Sequence, residues 1–148
     1  MEENLKKLLI KDLCSRLPYK VMCKYSGEIP MIGEVTNNIG TLSNIHVDKE
    51  CPFEINGGIY GFADVKPYLR SMSNMTEEEE KEMLKAFNVY YCYYDRINNE
   101  INIDCDSFEP NQLGNLLDWL NERHFDYRGL IEKNLALEAP KGMYNLND

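Results

Sequence analysis

The chain has 148 residues, of which 43 % are hydrophobic, and its 16 basic and 25 acidic residues give a net charge of −9. This hydrophobic content can build a packed core, so the sequence predicts a folded protein. Because no apolar run is long enough to cross a bilayer and no signal peptide is visible, we expect a soluble cytoplasmic protein without a membrane partner. The acidic balance argues against direct nucleic-acid binding, and it favours either simple solubility or an acidic surface offered to a basic partner.

Motifs that would carry catalysis or hold a cofactor are missing from the sequence. There is no phosphate-binding glycine loop, no zinc-protease motif and no nucleophile elbow, so no catalytic residue and no cofactor are predicted. His46, Asp48 and Cys51 could form a metal site on a turn, but spacing alone does not place the ligands together and no metal is predicted. Asp104 and Asp106 are better explained as solvated charges. The five cysteines have irregular spacing without a C-x-x-C pair, which predicts buried, reduced thiols: Cys14, Cys23, Cys51, Cys92 and Cys105.

The first half of the chain changes from helical to strand periodicity. Leucines recur at helical spacing over residues 3–17, and Pro18 ends this predicted helix. Residues 19–25 alternate like a strand that Ser26-Gly27 interrupts. Further short strands are predicted at 32–36, 41–47 and 52–55. Turns are predicted at Asn37-Asn38 with Gly40 and at Asp48-Lys49 between them, and at Asn56-Gly57-Gly58 after the last. Such short strands predict a small curled sheet or a partly closed barrel.

The second half of the chain predicts a helix, a β-hairpin and two further helices. Thr76 and Glu79 form a capping-box pattern at the start of a helix. Residues 88–105 predict a β-hairpin that turns at Asn98-Asn99, and Pro110 begins a helix with an apolar leucine stripe. Asp126 is expected to cap a second short helix, and the residues from Pro140 onward are expected to trail as a tail.

Four tyrosines in five positions mark the predicted hairpin: Tyr90, Tyr91, Tyr93 and Tyr94. Their alternation places rings on both faces of one strand, so the strand is either covered on both sides or lies at an interface. Tyrosine provides a large rigid contact area at low cost in conformational entropy. These four residues are therefore the predicted contacts with a partner protein.

A second candidate lies at the corner after the leucine-rich helix, where the functional residue types are densest: Arg123, His124, Asp126, Tyr127 and Arg128. One hypothesis is a ligand site in which Arg123 and Arg128 bind an anion while His124 senses or donates a proton. The other interpretation, which we favour, is a capped and salt-bridged corner with His124 and Tyr127 hydrogen-bonded in or near the core.

Two blocks of the sequence carry a resemblance. The first comprises residues 12–19, DLCSRLPY, and 65–76, VKPYLRSMSNMT; the second runs from Trp119 to Tyr144 and fits the pattern WLNxxHFDYRGLIEKxLALEAPxGMY. Together they resemble an uncharacterised family of small proteins from the genomes, prophages and phages of gut anaerobes. The resemblance implies a phage or mobile-element setting, the host cytoplasm and an accessory role, and it implies no activity and no catalytic residue.

These observations predict an α+β fold: an N-terminal helix with a small curled, barrel-like antiparallel sheet, then a β-hairpin with C-terminal helices. Residues 1–70 and 71–148 form the two predicted modules, or one domain with a shared core. The leading hypothesis is a non-enzymatic, phage-associated accessory protein that binds a host or phage protein as an inhibitor or adaptor. The alternatives are a protein that binds or sequesters an anionic nucleotide, and a structural component of the virion.

Overall fold

The computed structural model describes residues 1–29, 34–89, 91–103 and 107–144. Tyr90, Asp104, Cys105 and Asp106 therefore lie outside the described residues. The described helices and strands, in chain order, are α1 (Glu3–Arg16), β1 (Met22–Ile29), β2 (Glu34–Ile45), β3 (Phe53–Ile55), β4 (Gly58–Tyr60), β5 (Val65–Leu69), α2 (Glu77–Phe87), β6 (Cys92–Asp95), β7 (Glu100–Ile103), α3 (Pro110–Glu122) and β8 (Leu137–Glu138). None of the helices in these ranges has the length and apolar character that crossing a membrane requires.

The strands form a curled six-stranded sheet in the order β4-β3-β2-β1-β5-β8 and a separate two-stranded sheet of β6 and β7. All neighbours in the large sheet are antiparallel except β5 and β8. The predicted α+β fold, with an N-terminal helix, a curled sheet, a hairpin and a C-terminal helix, is confirmed.

The large sheet differs from the prediction in its first two strands. β1 continues through Ser26-Gly27, and β2 continues through Asn37-Asn38, because the two segments pair with each other in register, Ser26 opposite Asn37. Cross-strand hydrogen bonding thus overrides local turn propensity. Gly40 lies inside β2, where an added Cβ would stand 2.8 Å from Ile55 Cγ2, so close packing and not a turn explains this glycine.

Turn chemistry was predicted correctly at two other places. Asn56 and Gly57 join β3 to β4 with φ values of 51° and 80°, the left-handed pair that a tight hairpin turn uses. Thr76 and Glu79 form the predicted capping box, in which the Thr76 hydroxyl accepts from the Glu79 backbone N–H at 3.1 Å.

Two apolar clusters fill the interior. The first lies between α1 and the large sheet, and it includes Leu130, Leu135 and Ala136 from the C-terminal segment. The second joins α2, α3 and the hairpin through residues that include Met83, Phe87, Tyr94, Leu116 and Trp119. The C-terminal segment therefore contributes to the core of the N-terminal module, and the division at residue 70 stays a prediction.

The segment after α3 differs from the prediction of a second helix. It forms a series of turns, in which Gly129 and Asn134 have φ values of 72° and 59° that interrupt helical geometry. Asp126 still caps, since its carboxylate accepts from the backbone N–H groups of Leu130 and Ile131 at 2.8 and 2.9 Å.

The described part of the predicted tail, residues 140–144, is packed onto the fold directly after β8. β8 pairs in parallel with β5, with Tyr68 opposite Leu137. Beyond it, the Tyr144 hydroxyl accepts from the Met22 N–H at 2.9 Å and donates to the Tyr68 carbonyl at 2.7 Å. The tail thus binds two strands of the large sheet.

Candidate functional site

The hairpin presents two chemically different faces. Its register places Tyr94 opposite Ile101 and Tyr93 opposite Asn102. Tyr94 is 7 % exposed and belongs to the second core, whereas Tyr93 is 63 % exposed on the opposite face. Because side chains alternate along a strand, Asp95 and Glu100 lie on the Tyr93 side. We call Tyr93, Asp95, Glu100 and Asn102, together with the adjacent Tyr91, the tyrosine face.

Tyr91 stands directly before β6 and is the most exposed of the described tyrosines of the hairpin, at 68 %. Its φ of 56° is left-handed, a conformation that a bulky side chain rarely adopts and that costs roughly 1–2 kcal/mol. Two of the four tyrosines predicted as contacts are thus exposed, one is buried, and Tyr90 lies outside the described residues.

Side chains hold the hairpin on the body of the protein. The Arg96 guanidinium donates to the carbonyl oxygens of Met75 and Ser73, and it pairs with Glu80 at 3.1 Å. The Tyr94 hydroxyl donates to Asn99 Oδ1 and so fixes the turn end. These contacts orient the hairpin so that its inner face is covered by the second core and its tyrosine face is open.

The tyrosine face is acidic at its turn end. A hydrogen bond from the Asn98 side chain, with support from the backbone N–H groups of Asn98 and Ile97, lowers the pKa of Asp95. Asp95 is therefore a carboxylate at neutral pH, and Glu100 beside it is exposed. Arg96 is the only lysine or arginine between residues 91 and 103, and it points to α2.

At the corner after α3, the two arginines form ion pairs with acidic residues of two different helices. Arg123 lies 3.3 Å from Glu82 of α2, and Arg128 lies 3.3 Å from Asp12 of α1. The Tyr127 hydroxyl donates to Asn121 Oδ1 at 2.9 Å. Together with the capping role of Asp126, these contacts resemble the salt-bridged corner that we favoured, and the two arginines are not aimed at one anion.

Sequence reasoning missed Arg16, which lies at the centre of this corner. Arg16 and Asp12 are completely buried and form an ion pair at 2.8 Å. The Arg16 Nη2 also donates to the Phe125 carbonyl at 2.7 Å, while Nη1 has no hydrogen-bond partner among the described residues. The sequence spacing could have indicated this burial, because Asp12 and Arg16 fall on the same helical face as Leu9 and Leu13.

His124 is buried beside this ion pair. It is 4 % exposed, and its ring stacks on Tyr144 with centroids 3.8 Å apart. Burial, and then the positive charges of Arg16 and Arg70, lower its pKa to about 4. His124 is therefore neutral at physiological pH, where an imidazolium able to donate a proton is not populated.

A cleft of about 950 Å³ lies between α2 and the C-terminal segment. Its basic lining residues are Arg70, Arg123 and Lys141, and its acidic ones are Glu78, Glu79 and Glu82. Arg70 forms a bidentate pair with Glu79 at 2.7 and 2.8 Å, so part of this charge is already neutralised. Of the five residues predicted to bind a ligand, Arg123 alone lines this cleft.

The thiols and the other candidate metal ligands do not assemble in the described part of the chain. Within it, no three histidine, cysteine or acidic residues are grouped so that they could hold a metal ion. Cys23 is buried, and burial raises its pKa to about 12, but Cys14 and Cys51 are exposed and Cys92 is half-buried. The prediction of uniformly buried cysteines was therefore wrong, because Cys14 lies on the outer side of α1 and Cys51 in a loop.

Comparison with known proteins finds no matching family model, no matching curated protein and no matching solved structure. Functional inference for this chain therefore depends on its own residues and geometry.

Proposed function

We propose that this chain is a non-enzymatic accessory protein of a phage or mobile element, and that it binds a host or phage protein through the tyrosine face. The observation that carries the proposal is the exposure of Tyr91 and Tyr93, at 68 % and 63 %. Tyrosine is enriched at protein interfaces, because its ring buries a large area on binding and its hydroxyl forms hydrogen bonds with water in the unbound protein.

These two side chains belong to neither apolar core. The inner face of the hairpin, through Tyr94 and partly buried Ile101, supplies the contacts with the second core. Tyr93 contributes little burial, and Tyr91 adopts a left-handed backbone that a glycine or asparagine would tolerate better. Residues that cost stability while exposing aromatic surface are typical of binding sites.

The phage setting is supported by the resemblance of residues 12–19, 65–76 and 119–144 to small proteins of gut anaerobes and their phages. Many residues of this second block act inside the fold: His124 stacks on Tyr144, and Asp126 caps the turn at Leu130. A structural role of the block is compatible with a stable scaffold that carries a separate contact surface on the hairpin.

The experiment is an affinity capture with the tagged full chain from infected and uninfected host lysates, followed by mass spectrometry. The test variant is Tyr91→Ser/Tyr93→Ser, and the matched control is Ile39→Ser/Ile59→Ser, which removes two other exposed apolar side chains. We expect one stoichiometric protein with the wild type and the control, and its loss with the test variant. Equal capture by all three proteins would refute the proposal.

A second candidate function is binding of an anionic ligand, such as a nucleotide, in the cleft. The observation that favours it is the convergence of Arg70, Arg123 and Lys141 on one cavity beside the Tyr144 ring. An anion there competes with Glu79 and Glu82 for the guanidinium groups. Thermal unfolding with added GTP tests it: a rise in the midpoint that Arg123→Ala/Lys141→Ala abolishes supports the site, and an unchanged midpoint opposes it.

A further inference from the structure

We infer that the tyrosine face binds a cationic protein surface, one rich in arginine and lysine of the kind that proteins otherwise present to nucleic-acid phosphates. The inference rests on the proposed function and names the chemistry of the partner. It depends on the placement of charge around the exposed Tyr93 ring.

The first observation is that negative charge and aromatic surface share one side of the hairpin. Asp95 and Glu100 are opposite each other at the turn end of the ladder, and Tyr93 is two residues from Asp95 on the same side. Arginine satisfies both features at once, because its guanidinium stacks on a tyrosine ring and its N–H groups fit a carboxylate.

The second observation is that Arg96, the basic residue of the hairpin, forms its contacts with the body of the protein. Arg96 is directed to the carbonyl oxygens of Ser73 and Met75 and to the carboxylate of Glu80. No other lysine or arginine occurs between residues 91 and 103. A basic partner surface therefore meets carboxylates and rings on the tyrosine face without a competing cation from the hairpin itself.

The third observation is the charge of the whole chain, which is −9. A negative molecule attracts a basic partner at long range and raises the rate of encounter, whereas short-range contacts on one face select the orientation. An acidic partner surface would have to approach against this field, and a neutral one would not be attracted by it. Charge complementarity thus favours the cationic occupant.

The test uses a fluorescent peptide in which arginine alternates with serine, and a second peptide with glutamate in place of arginine. Binding to the full chain is measured by anisotropy at low and at physiological salt. The test variants are Asp95→Asn/Glu100→Gln, Glu100→Gln alone, which leaves the turn contacts of Asp95 intact, and Tyr93→Ser. The control is Asp118→Asn/Glu122→Gln, which removes the same charge from two exposed residues of α3.

We expect the arginine peptide to bind and the glutamate peptide not to bind. Removing both hairpin carboxylates should weaken binding by roughly tenfold, and Tyr93→Ser by roughly fivefold, while the α3 control stays within about twofold of the wild type. Equal weakening in the hairpin and α3 variants would show that binding follows net charge alone, and it would overturn the inference. Failure of the arginine peptide to bind would overturn it as well.

Failure of the inference can be separated from failure of the proposed function. A photo-crosslinking residue at position 93 captures the natural partner from lysate, and sequencing identifies the segment that it contacts. A cationic segment supports the inference. A segment without arginine or lysine refutes it and leaves the proposed function intact, and the absence of any hairpin-dependent crosslink counts against both.

Discussion

The corner after α3 and the hairpin are the two regions with the densest functional residue types, and the fold uses them in opposite ways. At the corner, arginine, histidine, aspartate and tyrosine side chains contact other parts of the protein, through partners such as Asp12, Asn121 and the backbone of Leu130. On the hairpin, most of the surface of Tyr91 and Tyr93 is exposed. A cluster of polar residues in the sequence therefore indicates a binding site only when the fold leaves their side chains exposed to a partner.

The physical difference between the two regions is the cost of desolvation. A charge buried at the corner must find a partner or lose several kcal/mol; Arg16 accordingly forms an ion pair with Asp12, and His124 is neutral. An exposed tyrosine has no such requirement. Substitutions should therefore affect stability at the corner and on the inner face of the hairpin, and binding on the tyrosine face.

Arg16→Leu should reduce the free energy of unfolding by about 3–5 kcal/mol, because it leaves the Asp12 carboxylate buried without its main partner. Arg128 remains 3.3 Å from Asp12 and offsets part of this loss. Urea unfolding measures the change. The matched control is Lys11→Leu, an exposed position on the same helix that loses the same charge and should change stability by about 0.5 kcal/mol or less. Similar midpoints for both variants would contradict a structural role of the buried pair.

Tyr94→Ala should reduce the free energy of unfolding by about 3–4 kcal/mol, because it empties a buried position in the second core. Tyr93→Ala, one residue away on the exposed face, should cost about 0.5 kcal/mol or less. The same urea experiment compares them. A large loss for Tyr93→Ala would mean that the tyrosine face is part of the core, and the proposed binding role would then be wrong.

Acidification should destabilise the protein through His124. Its pKa is about 4 in the folded protein and 6.5 when unperturbed, so above pH 6.5 the residue is neutral in both states and has no effect. As pH falls from 6.5 to about 4, the unfolded chain takes up the proton first, and stability decreases by up to about 1.4 kcal/mol per pH unit, roughly 3 kcal/mol in all.

His124→Asn provides the control for this pH dependence, because asparagine tolerates the left-handed φ of 63° at this position and does not titrate. Unfolding free energies of both proteins are measured from pH 7 to pH 4. The difference between the two profiles should change across this range. Parallel profiles would show that His124 takes up its proton equally well in the folded state.

Tyr144→Phe should reduce the free energy of unfolding by about 2 kcal/mol. It keeps the ring on His124 but leaves the Met22 N–H and the Tyr68 carbonyl without the hydroxyl. Hydrogen exchange at Met22 should accelerate in the variant. Unchanged exchange would mean that water replaces the hydroxyl without loss.

Local signals made part of the fold predictable. The leucine spacing of α1, the Thr76–Glu79 cap and the Asn56-Gly57 turn each depend on residues a few positions apart, and the structure contains all three. The faces of the hairpin also follow from strand alternation, although the sequence did not indicate which face is exposed.

The remaining features depend on partners that are distant in the chain. Asn37-Asn38 is strand and not turn because β1 pairs with it, and Arg16 is buried because the carbonyl of Phe125 lies beside it. His124 was assigned either a proton-transfer role or a place in the core, and the buried ring with its lowered pKa fits the second. Desolvation of this kind is a tertiary property that residue type alone does not encode.

The bond between Met22 and Tyr144 joins residues 122 positions apart, and it has a consequence for biosynthesis. A ribosome makes the first strand long before it makes the tyrosine that binds it, so the large sheet cannot acquire β8 and its hydrogen bonds to Tyr144 until residues 137–144 have been synthesised. Contacts of such long range also slow folding, because a large loop must close before they form. A nascent chain that stops before residue 137 should therefore remain open along β5 and be susceptible to proteases at that edge.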